Sequence, residues 1–400
     1  MTYHAIDCMS FAGGFTLGMV QAGFHLAAKR EMKAGFGVAN CEANRDLLGH
    51  DWHAQASEPE AWEPVPAQVV FGNPPCSGFS VMSAKHFRGA DSPINHCMYA
   101  FARFAAKVNP QIAVFESVPQ AFGRDDGLDL MRRLREIVEH DTNERWDLYH
   151  VKHNAYSVGG AAIRKRYFWV VSKIPFGIER STPKRLPVLQ DVIGDLDDLS
   201  RTWLPQPYGQ PATWWSKEFR SDTGGVDGHV WIQNPLVQRV QDLMVGTHWN
   251  PNEHLAQVAR RYYETHGFLP KSWSTSADRV VESDFNMGFT TPVRWNGQHP
   301  ARVITGAALQ TAIHPTASRA LSHREAARVM GFPDDWKLWP LRNNSGLAMT
   351  HGKGITVQCG RWIGEWIRHA LDGNPGTYTG DAMGERERVI DVTHDWQRRS

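Results

Sequence analysis

The most informative part of this sequence is the loop Gly72-Asn73-Pro74-Pro75-Cys76-Ser77-Gly78-Phe79-Ser80. It directly follows the short apolar run 68–71, which is typical of a buried strand. Prolines restrict the backbone of this loop, and the small residues after Cys76 let a second molecule approach the thiol. Because a single cysteine is more often inert core than nucleophile, the loop alone is a weak sign of reactivity.

A carboxylate ends the next strand-like run along the chain. Glu116 follows the apolar run 112–115 and stands directly before Ser117-Val118-Pro119. The carboxyl ends of parallel strands meet at one edge of an open α/β sheet, where such sheets bind ligands. We therefore expect Cys76 and Glu116 to face the same crevice. Either residue alone could be structural, and it is the pairing that indicates catalysis.

Six segments, in order along nearly the whole chain, resemble the motifs of the DNA (cytosine-5) methyltransferases. They are the glycine-rich donor loop (7–23), the Pro-Cys nucleophile (Pro75-Cys76), the glutamate of Glu-Asn-Val (Glu116), the two arginines of Gln-x-Arg-x-Arg (Arg164 and Arg166), the helix and Gly-Phe-Pro turn that follow the recognition region (322–333), and the closing motif (352–367). One Pro-Cys pair is a weak match, but six segments in the correct order are specific. The chain is identified as a member of this family.

The resemblance implies an α/β fold: a Rossmann-like sheet of the S-adenosyl-methionine-dependent methyltransferases with a smaller target-recognition domain. It assigns residues 1–171 and 318–371 to the catalytic, cofactor-binding domain and residues 172–317 to the target-recognition region. Tryptophans spaced among Pro, Gly and Asn fill much of that region without a visible repeat, and most are expected to be local core. Residues 372–400 are Gly-rich and charged, which predicts a loose C-terminal tail.

The resemblance also assigns catalytic roles to four side chains. The Cys76 thiolate adds to carbon 6 of cytosine, which makes carbon 5 nucleophilic. Glu116 is the acid at N3 that meets the developing charge. Arg164 and Arg166 are suited to hold the flipped nucleotide and to support the closed cysteine loop, because guanidinium groups bind carbonyl and phosphate oxygens. The alternative for both arginines is an exposed basic strand edge. The base that removes the carbon-5 proton is not identifiable.

The cofactor is expected to be S-adenosyl-methionine or its carboxylated form. The predicted contacts to it come from Asp7, Phe11, Gly13, Gly14, Phe15, Glu31, Asn73, Pro75 and Lys353. Gly13, Gly14 and Gly18 let backbone approach the ligand at a helix N-terminus. Glu31, at the end of a strand, can accept hydrogen bonds from ribose hydroxyls. Asp51, Glu58 and Glu60 are the candidates for an acidic contact to the adenine amino group.

Four residues depart from the family pattern. Phe11 stands for the first loop glycine, Ser117 for the asparagine after the glutamate, Ala162 for the glutamine before Arg164, and Lys353 for the asparagine of a Gly-Asn pair. At about 6 Å and an effective dielectric of about 20, a lysine would repel the donor sulfonium by roughly 3 kcal/mol. Lys353 therefore points to solvent or DNA phosphate, or it binds the carboxylate of carboxy-S-adenosyl-methionine, whose use would yield 5-carboxymethylcytosine.

Composition is compatible with a DNA-modifying enzyme but does not require one. The formal net charge of +1 over 400 residues excludes a globally basic protein, so any basic surface must be local. Five scattered cysteines show no metal or disulfide spacing, which indicates a reducing compartment. Without a signal peptide or a long apolar run, we expect a cytoplasmic, bacterial or phage-encoded monomer that acts on double-stranded DNA and needs no membrane or metal.

Two other classes of protein remain open at this point. A catalytically silent DNA-binding member of the family is permitted by the four departures, although the four catalytic residues are retained. An RNA cytosine methyltransferase similar to the tRNA-acting branch is the second class, and the long insertion between residues 171 and 300 argues against it. The sequence reveals neither the recognised DNA motif nor a restriction partner.

Overall fold

The structure is a computed structural model that divides into two compact units, Met1–Leu186 with Gly354–Ser400 and Pro187–Lys353. We call them the sheet unit and the second unit. The residues described are 1–32, 36–76, 78–79, 89–90, 92–179, 185–196, 204–205, 232–233, 242–243, 249–271, 273, 292–304, 311–317, 320–337, 352 and 354–393.

Nine strands of the sheet unit form one sheet within the described residues. In chain order they are β1 (Tyr3–Cys8), β2 (Phe24–Glu31), β3 (His53–Ala56), β4 (Val69–Gly72), β5 (Ile112–Ser117), β6 (Asp147–Asn154), β7 (Lys165–Ser172), β8 (Asp381–Gly384) and β9 (Glu387–Asp391). Their spatial order is β8-β9-β6-β7-β5-β4-β1-β2-β3. Strands β1 to β5 are parallel, and β7 lies antiparallel between β5 and β6. The predicted α/β class is therefore confirmed.

Helices cover the sheet, and their bounds follow the apolar periodicity of the sequence. Those of the sheet unit are α1 (Gly14–Gln21), α2 (Phe36–Ala43), α3 (Arg45–Leu48), α4 (His96–Val108), α5 (Asp125–Thr142) and, after the second unit, α9 (Val357–Leu371). Helix α9 packs directly on α1. A Cβ on Gly18 would lie 2.4 Å from Arg361 N and 2.6 Å from Gly360 C. Gly18 therefore permits contact between two helices, which corrects its predicted role beside the ligand.

Residues 378–391 are not a loose tail, and that prediction is wrong. Strands β8 and β9 form an antiparallel hairpin, and β9 pairs in parallel with β6. Without β9, one side of β6 would present unpaired backbone N–H and C=O groups. Glu387 is buried on β9, where Arg132 Nε and His150 Nε2 lie 2.9 and 2.7 Å from its carboxylate. The charged residues at 372–400 suggested an unpacked tail. In the fold, the buried carboxylate of Glu387 is neutralised by Arg132 and His150, which come from distant segments of the chain.

The second unit contains α6 (Leu189–Ile193), α7 (Leu255–His266) and α8 (His323–Val329). Two-residue strands pair in parallel at Val293–Arg294 with Ala312–Ile313 and at Leu204–Pro205 with Ile232–Gln233. Trp249, Trp273 and Trp295 are buried, as predicted for core tryptophans. The predictions for Trp203, Trp214, Trp215 and Trp231 lie outside the described residues.

The borders of the two units differ from the predicted domain borders at 171 and 317. Residues 318–353 group with the second unit because α8 packs on α6, where Arg328 donates to the carbonyl of Val192 at 3.1 Å. A capping box begins helix α8. Ser322 Oγ accepts from Glu325 N at 3.0 Å, and Ser322 N donates to the Glu325 carboxylate at 2.7 Å.

Candidate active site

The strand order reverses between β1 and β4, which creates a crevice at the carboxyl edge of the sheet. From β1 the chain adds β2 and β3 on one side and then returns to place β4 and β5 on the other. Open α/β sheets bind ligands at such a reversal point. Glu31, Cys76 and Glu116 lie at or directly after strand ends on this edge, as their positions in the sequence predicted.

The cysteine loop is attached to the sheet at its first residue. Asn73 N donates to Cys8 O at 3.2 Å, and Phe79 N donates to Cys76 O at 3.0 Å. Gly72 is required just before the loop, because a Cβ there would lie 2.1 Å from Cys8 O. Pro75 is exposed and Cys76 is half-buried. The loop therefore presents the thiol at the mouth of the crevice.

Glu116 is buried between an amide and a guanidinium. Asn73 Nδ2 donates to Glu116 Oε2 at 2.5 Å, and Arg166 Nε lies 2.8 Å from Glu116 Oε1. Burial raises the pKa of the Glu116 carboxyl above its usual value, although Arg166, Arg164 and Asn73 act in the opposite direction. A glutamate that readily takes up a proton is suited to act as an acid.

The thiol of Cys76 is not activated by its surroundings in this structure. Burial and the Glu116 carboxylate raise its pKa, while Arg166, the Val118 amide and the Ser117 hydroxyl lower it. Thiolate formation would therefore become easier once Glu116 is protonated or its charge is taken up by a ligand. This coupling links the two groups that the sequence paired.

Arg164 and Arg166 have different partners, although they are only two residues apart. Arg166 makes the ion pair with Glu116, whereas Arg164 is completely buried and its Nη2 donates to Gly354 O at 2.7 Å. Burial and the neighbouring Arg166 lower the pKa of Arg164 to about 9. Arg164 thus anchors the segment that follows Lys353. Neither arginine lies at an exposed strand edge.

A second buried group of charges lies where β1 and β2 end, on the side of the crevice where the sequence predicts the donor. Asp7 Oδ2 accepts hydrogen bonds from Thr16 Oγ1 and, at 2.8 Å, from Lys29 Nζ. Lys29 also lies 3.6 Å from Glu31 Oε2. Sequence reasoning missed Lys29, although a lysine inside the otherwise buried strand Phe24–Glu31 was a visible signal.

Glu31 lies in a close-fitting site between strand and helix. Its Oε1 accepts from Met32 N at 3.3 Å, and a Cβ on Gly37 would lie 2.1 Å from Oε2. Burial raises the pKa of Glu31 above its usual value, with Lys29 as the largest opposing influence. Gly37 is therefore needed where α2 begins beside this carboxylate.

Four buried oxygen atoms beside the loop 9–13 make no hydrogen bond within the described part of the chain. They are Asp7 Oδ1, Ser10 Oγ, Glu31 Oε2 and Asn40 Oδ1. Such atoms are rare in folded proteins and need an external partner. A ribose and an amino group offer the donors that they lack, so these residues fit an adenosyl donor.

Of the remaining residues predicted to contact the donor, Phe11, Gly13 and Phe15 lie in different surroundings. Phe11 is half-buried with a φ of 44°, and Gly13 before α1 has a φ of 85°. The ring of Phe15 lies in the core, 4.9 Å from that of Phe71 and 5.7 Å from that of Phe168. A contact of Phe15 to the donor would therefore come from its backbone. The prediction for Lys353 lies outside the described residues.

The structure also separates the candidates for the adenine contact. Asp51 precedes β3 and therefore lies toward its amino end, away from the crevice. Glu58 follows the carboxyl end of β3, where Ser57 N donates to Glu31 O at 3.1 Å. This position favours Glu58 as the adenine contact, and Glu60 is the second candidate.

The chain matches the model of the C-5 cytosine-specific DNA methylase family over residues 3–369. It is 23% identical to the type II methyltransferase M.MthTI of Methanothermobacter thermautotrophicus, with 92% of this chain and 98% of that protein covered. It is 24% identical to the type II methyltransferase M.XorII of Xanthomonas oryzae, with 92% and 85% covered. The chain belongs to the C-5 cytosine-specific DNA methylases.

Solved structures support the same fold. A DNA modification methyltransferase encoded within a prophage of E. coli aligns with a TM-score of 0.64 at 17% identity, over 93% of this chain and all of that chain. The methyltransferase EhMeth of Entamoeba histolytica aligns with a TM-score of 0.55 at 10% identity. The central sheet thus has the fold of these methyltransferases. Within the described residues, no helix is long and apolar enough to cross a membrane, and no group of three His, Cys, Asp or Glu could hold a metal.

Proposed function

We propose that this C-5 cytosine-specific DNA methylase flips a cytosine out of duplex DNA and joins a group from an adenosyl donor to its carbon 5. The observation that carries this is the contact of Glu116 with Asn73 and Arg166 beside the Cys76 loop, at the same sheet edge as Glu31. Addition to carbon 6 and transfer to carbon 5 need the faces of the ring, which neighbouring bases cover in a stacked duplex, and extruding the base costs a few kcal/mol. Cytoplasmic double-stranded DNA is the proposed substrate, with a monomer as the acting form.

Cys76, Glu116 and Arg166 each have a defined part in the proposed reaction. The Cys76 sulfur bonds to carbon 6, and the electron pair displaced from the ring is met by a proton from Glu116 at N3. Arg166 holds the glutamate and can bind the carbonyl oxygen of the base. The donor, when bound, supplies an electrophilic carbon on a sulfonium to carbon 5. Loss of the carbon-5 proton to a base then restores the double bond between carbons 5 and 6, breaks the bond from carbon 6 to sulfur and releases the Cys76 thiolate, while the N3 proton returns to Glu116.

The proposed contacts of the donor begin with Glu31, whose Oε2 makes no hydrogen bond among the described residues. Glu31 would accept from the two ribose hydroxyls, and Glu58 or Glu60 from the adenine amino group. Asn73 and Pro75 would border the reactive end, because they begin the cysteine loop. Main-chain groups of Phe11, Gly13, Gly14 and Phe15 would border the rest of the donor.

We further propose that the donor is carboxy-S-adenosyl-methionine and that the product is 5-carboxymethylcytosine. The support is the hydrogen bond from Arg164 to Gly354 O, which ties the residue after Lys353 to the strand that carries Arg166. An ammonium placed there repels a sulfonium but attracts a carboxylate on the transferred carbon. Methyl transfer from S-adenosyl-methionine is the alternative if Lys353 points elsewhere.

Two measurements test the two parts of this proposal separately. Duplex DNA that carries 5-fluorocytosine should trap the wild-type protein in a denaturant-resistant complex when an adenosyl donor is present, because the fluorine on carbon 5 cannot leave as a proton does, and Cys76→Ala should not be trapped. An equal adduct with the alanine variant would contradict the role of Cys76. Transfer RNA with the same base serves as the control substrate, and trapping on it alone would favour an RNA enzyme.

The donor is tested by competition between the two adenosyl compounds at equal concentration. Nucleoside mass spectrometry should detect carboxymethylcytosine from the wild type, a shift toward methylcytosine from Lys353→Asn, and loss of the carboxylated product from Lys353→Glu. Exclusive methyl transfer by the wild type would contradict the carboxylated donor and leave the cysteine chemistry unaffected.

A further inference from the structure

Lys29 has no exposed surface and lies beneath the donor side of the crevice. It stands two residues before Glu31 on β2, so the two side chains are on the same face of the strand. Its Nζ donates to Asp7 Oδ2 at 2.8 Å and lies 3.6 Å from Glu31 Oε2. One buried ammonium thus faces two carboxylates that come from adjacent strands.

Among the described residues, the charges in this group do not balance. Two carboxylates and one ammonium leave one negative charge in excess, and the attraction of Asp7 and Glu31 raises the pKa of Lys29 despite its burial. Asp7 Oδ1 and Glu31 Oε2 also make no hydrogen bond among the described residues. A buried polar network that serves stability alone would satisfy these atoms. The open positions point toward a ligand.

We propose that Lys29 is a positioning residue for the donor, holding the Glu31 carboxylate ionised and oriented so that both ribose hydroxyls can donate to it. This inference rests on the proposed contact between Glu31 and the donor. An ionised carboxylate accepts several hydrogen bonds, whereas a protonated one uses part of that capacity as a donor. Lys29 acts on the ligand only through Glu31, since its side chain has no exposed surface.

The thiols around Glu31 stay neutral near pH 7, so Lys29 acts on the protonation of Glu31 itself. Four elements supply titratable neighbours: Lys29 on β2, Asp7 and Cys8 on β1, Cys41 on α2 and Cys97 on α4. Burial raises the pKa of all three thiols, that of Cys41 to about 12, so they stay neutral near pH 7. Without Lys29, burial and Asp7 would raise the pKa of Glu31 further.

The test is the pH dependence of S-adenosylhomocysteine binding, measured by calorimetry between pH 5.5 and 8.5. Lys29→Met should weaken binding about tenfold or more at the acid end, where a factor of ten is about 1.4 kcal/mol. Affinity should recover as the pH rises, because Glu31 then ionises at a higher pH than in the wild type. Thr16→Val is the matched control. It removes a hydrogen bond to Asp7 without changing any charge, so its pH profile should keep the wild-type midpoint.

Glu31→Gln separates this inference from the proposed function. If Glu31→Gln binds as the wild type does, the Glu31 contact itself is wrong. If Glu31→Gln binds weakly while Lys29→Met keeps the wild-type midpoint, the role of Lys29 is wrong and the donor site stands. Should Lys29→Met fail to fold by circular dichroism, the double variant Asp7→Asn/Lys29→Met removes both charges of the ion pair. Its midpoint should still move upward, and an unchanged midpoint would overturn the inference.

Discussion

Two buried charge clusters of the sheet unit are built from similar groups but have different properties. The catalytic cluster contains Asn73, Cys76, Glu116 and Arg166, and the edge cluster contains Arg132, His150, Tyr167 and Glu387. Each sets a glutamate against an arginine, and each includes a residue of β7. The comparison sets the buried carboxylate that we propose to be reactive beside one that is structural.

In the edge cluster, every polar group that links one member to another has a hydrogen-bond partner. Arg132 and His150 both contact the Glu387 carboxylate, and His150 Nδ1 lies 2.6 Å from Tyr167 Oη. The His150 and Arg132 hydrogen bonds lower the pKa of Glu387 to about 2. Since Glu387 is ionised, the His150 Nε2–H donates to it, and Tyr167 donates to Nδ1. No member of this chain of hydrogen bonds needs a ligand.

The catalytic cluster keeps its carboxylate ready for protonation. Burial prevails over Arg166 and Arg164, so the pKa of Glu116 is raised, and the same carboxylate raises the pKa of Cys76. Perturbed groups of this kind are concentrated at functional sites. The direction of the pKa shift, and not the presence of a buried ion pair, therefore separates the two clusters.

The largest expected effect is the loss of turnover in Glu116→Gln. The variant keeps the shape and loses the acid, so single-turnover rates should fall by about a hundredfold or more, the usual range for a general acid. DNA affinity should change little. Glu387→Gln is the matched control on the edge cluster, and its rate per folded molecule should equal that of the wild type. A comparable loss in both variants would erase the distinction.

The second-largest expected effect is a loss of stability when Glu387 of the edge cluster is changed. A folded pKa of about 2 for Glu387, against 4.5 normally, means that ionised Glu387 stabilises the fold above about pH 4.5 and that this is lost as the pH falls toward 2. The difference between 4.5 and about 2 corresponds to roughly 3.5 kcal/mol at about 1.4 kcal/mol per pKa unit, and solvent around the partly exposed Arg132 screens the pair, so Glu387→Gln should cost about 2–3 kcal/mol at pH 7. The lowered pKa of His150 adds a loss below about pH 6.5, since the unfolded state then binds the proton. Urea unfolding from pH 3 to 8 measures both.

The smallest effect has the opposite sign and belongs to the catalytic cluster. A raised pKa means that ionised Glu116 destabilises the fold at pH 7, and that this cost disappears as the pH falls below its unfolded value. Glu116→Gln should thus stabilise the protein within the range of about 0.5–2 kcal/mol that single stabilising substitutions give. The gain should vanish near pH 4. If Glu116→Gln were as destabilising as Glu387→Gln, Glu116 would be a structural residue.

The parts of the fold that the sequence predicted are those specified by neighbouring residues. The apolar runs before Cys76 and Glu116 mark β4 and β5, and parallel sheets bring such ends together. These features need only local patterns and one topological rule.

The parts that were missed depend on partners that are far apart in the sequence. Lys29 pairs in register with Asp7 across β1 and β2, and this neighbour makes its burial possible. Glu387 finds Arg132 and His150 only after β9 has joined β6. For Lys29 a charged residue inside a strand was visible in the sequence, but its counter-charge was not, and for Glu387 the strand itself was not predicted. Hydrophobic periodicity carries no information about such long-range compensation.

The pairing of β9 with β6 has a consequence for biosynthesis. Strand β6 ends at Asn154, and the strand that covers its outer edge is completed only at Asp391. The ribosome adds roughly 230 residues in between, and at about 5–20 residues per second this takes roughly 10–50 s. During that interval the nascent chain exposes an open strand edge, which favours association with other nascent chains or capture by chaperones. Slow translation of the recognition region would therefore prolong the period in which the partly made enzyme can aggregate.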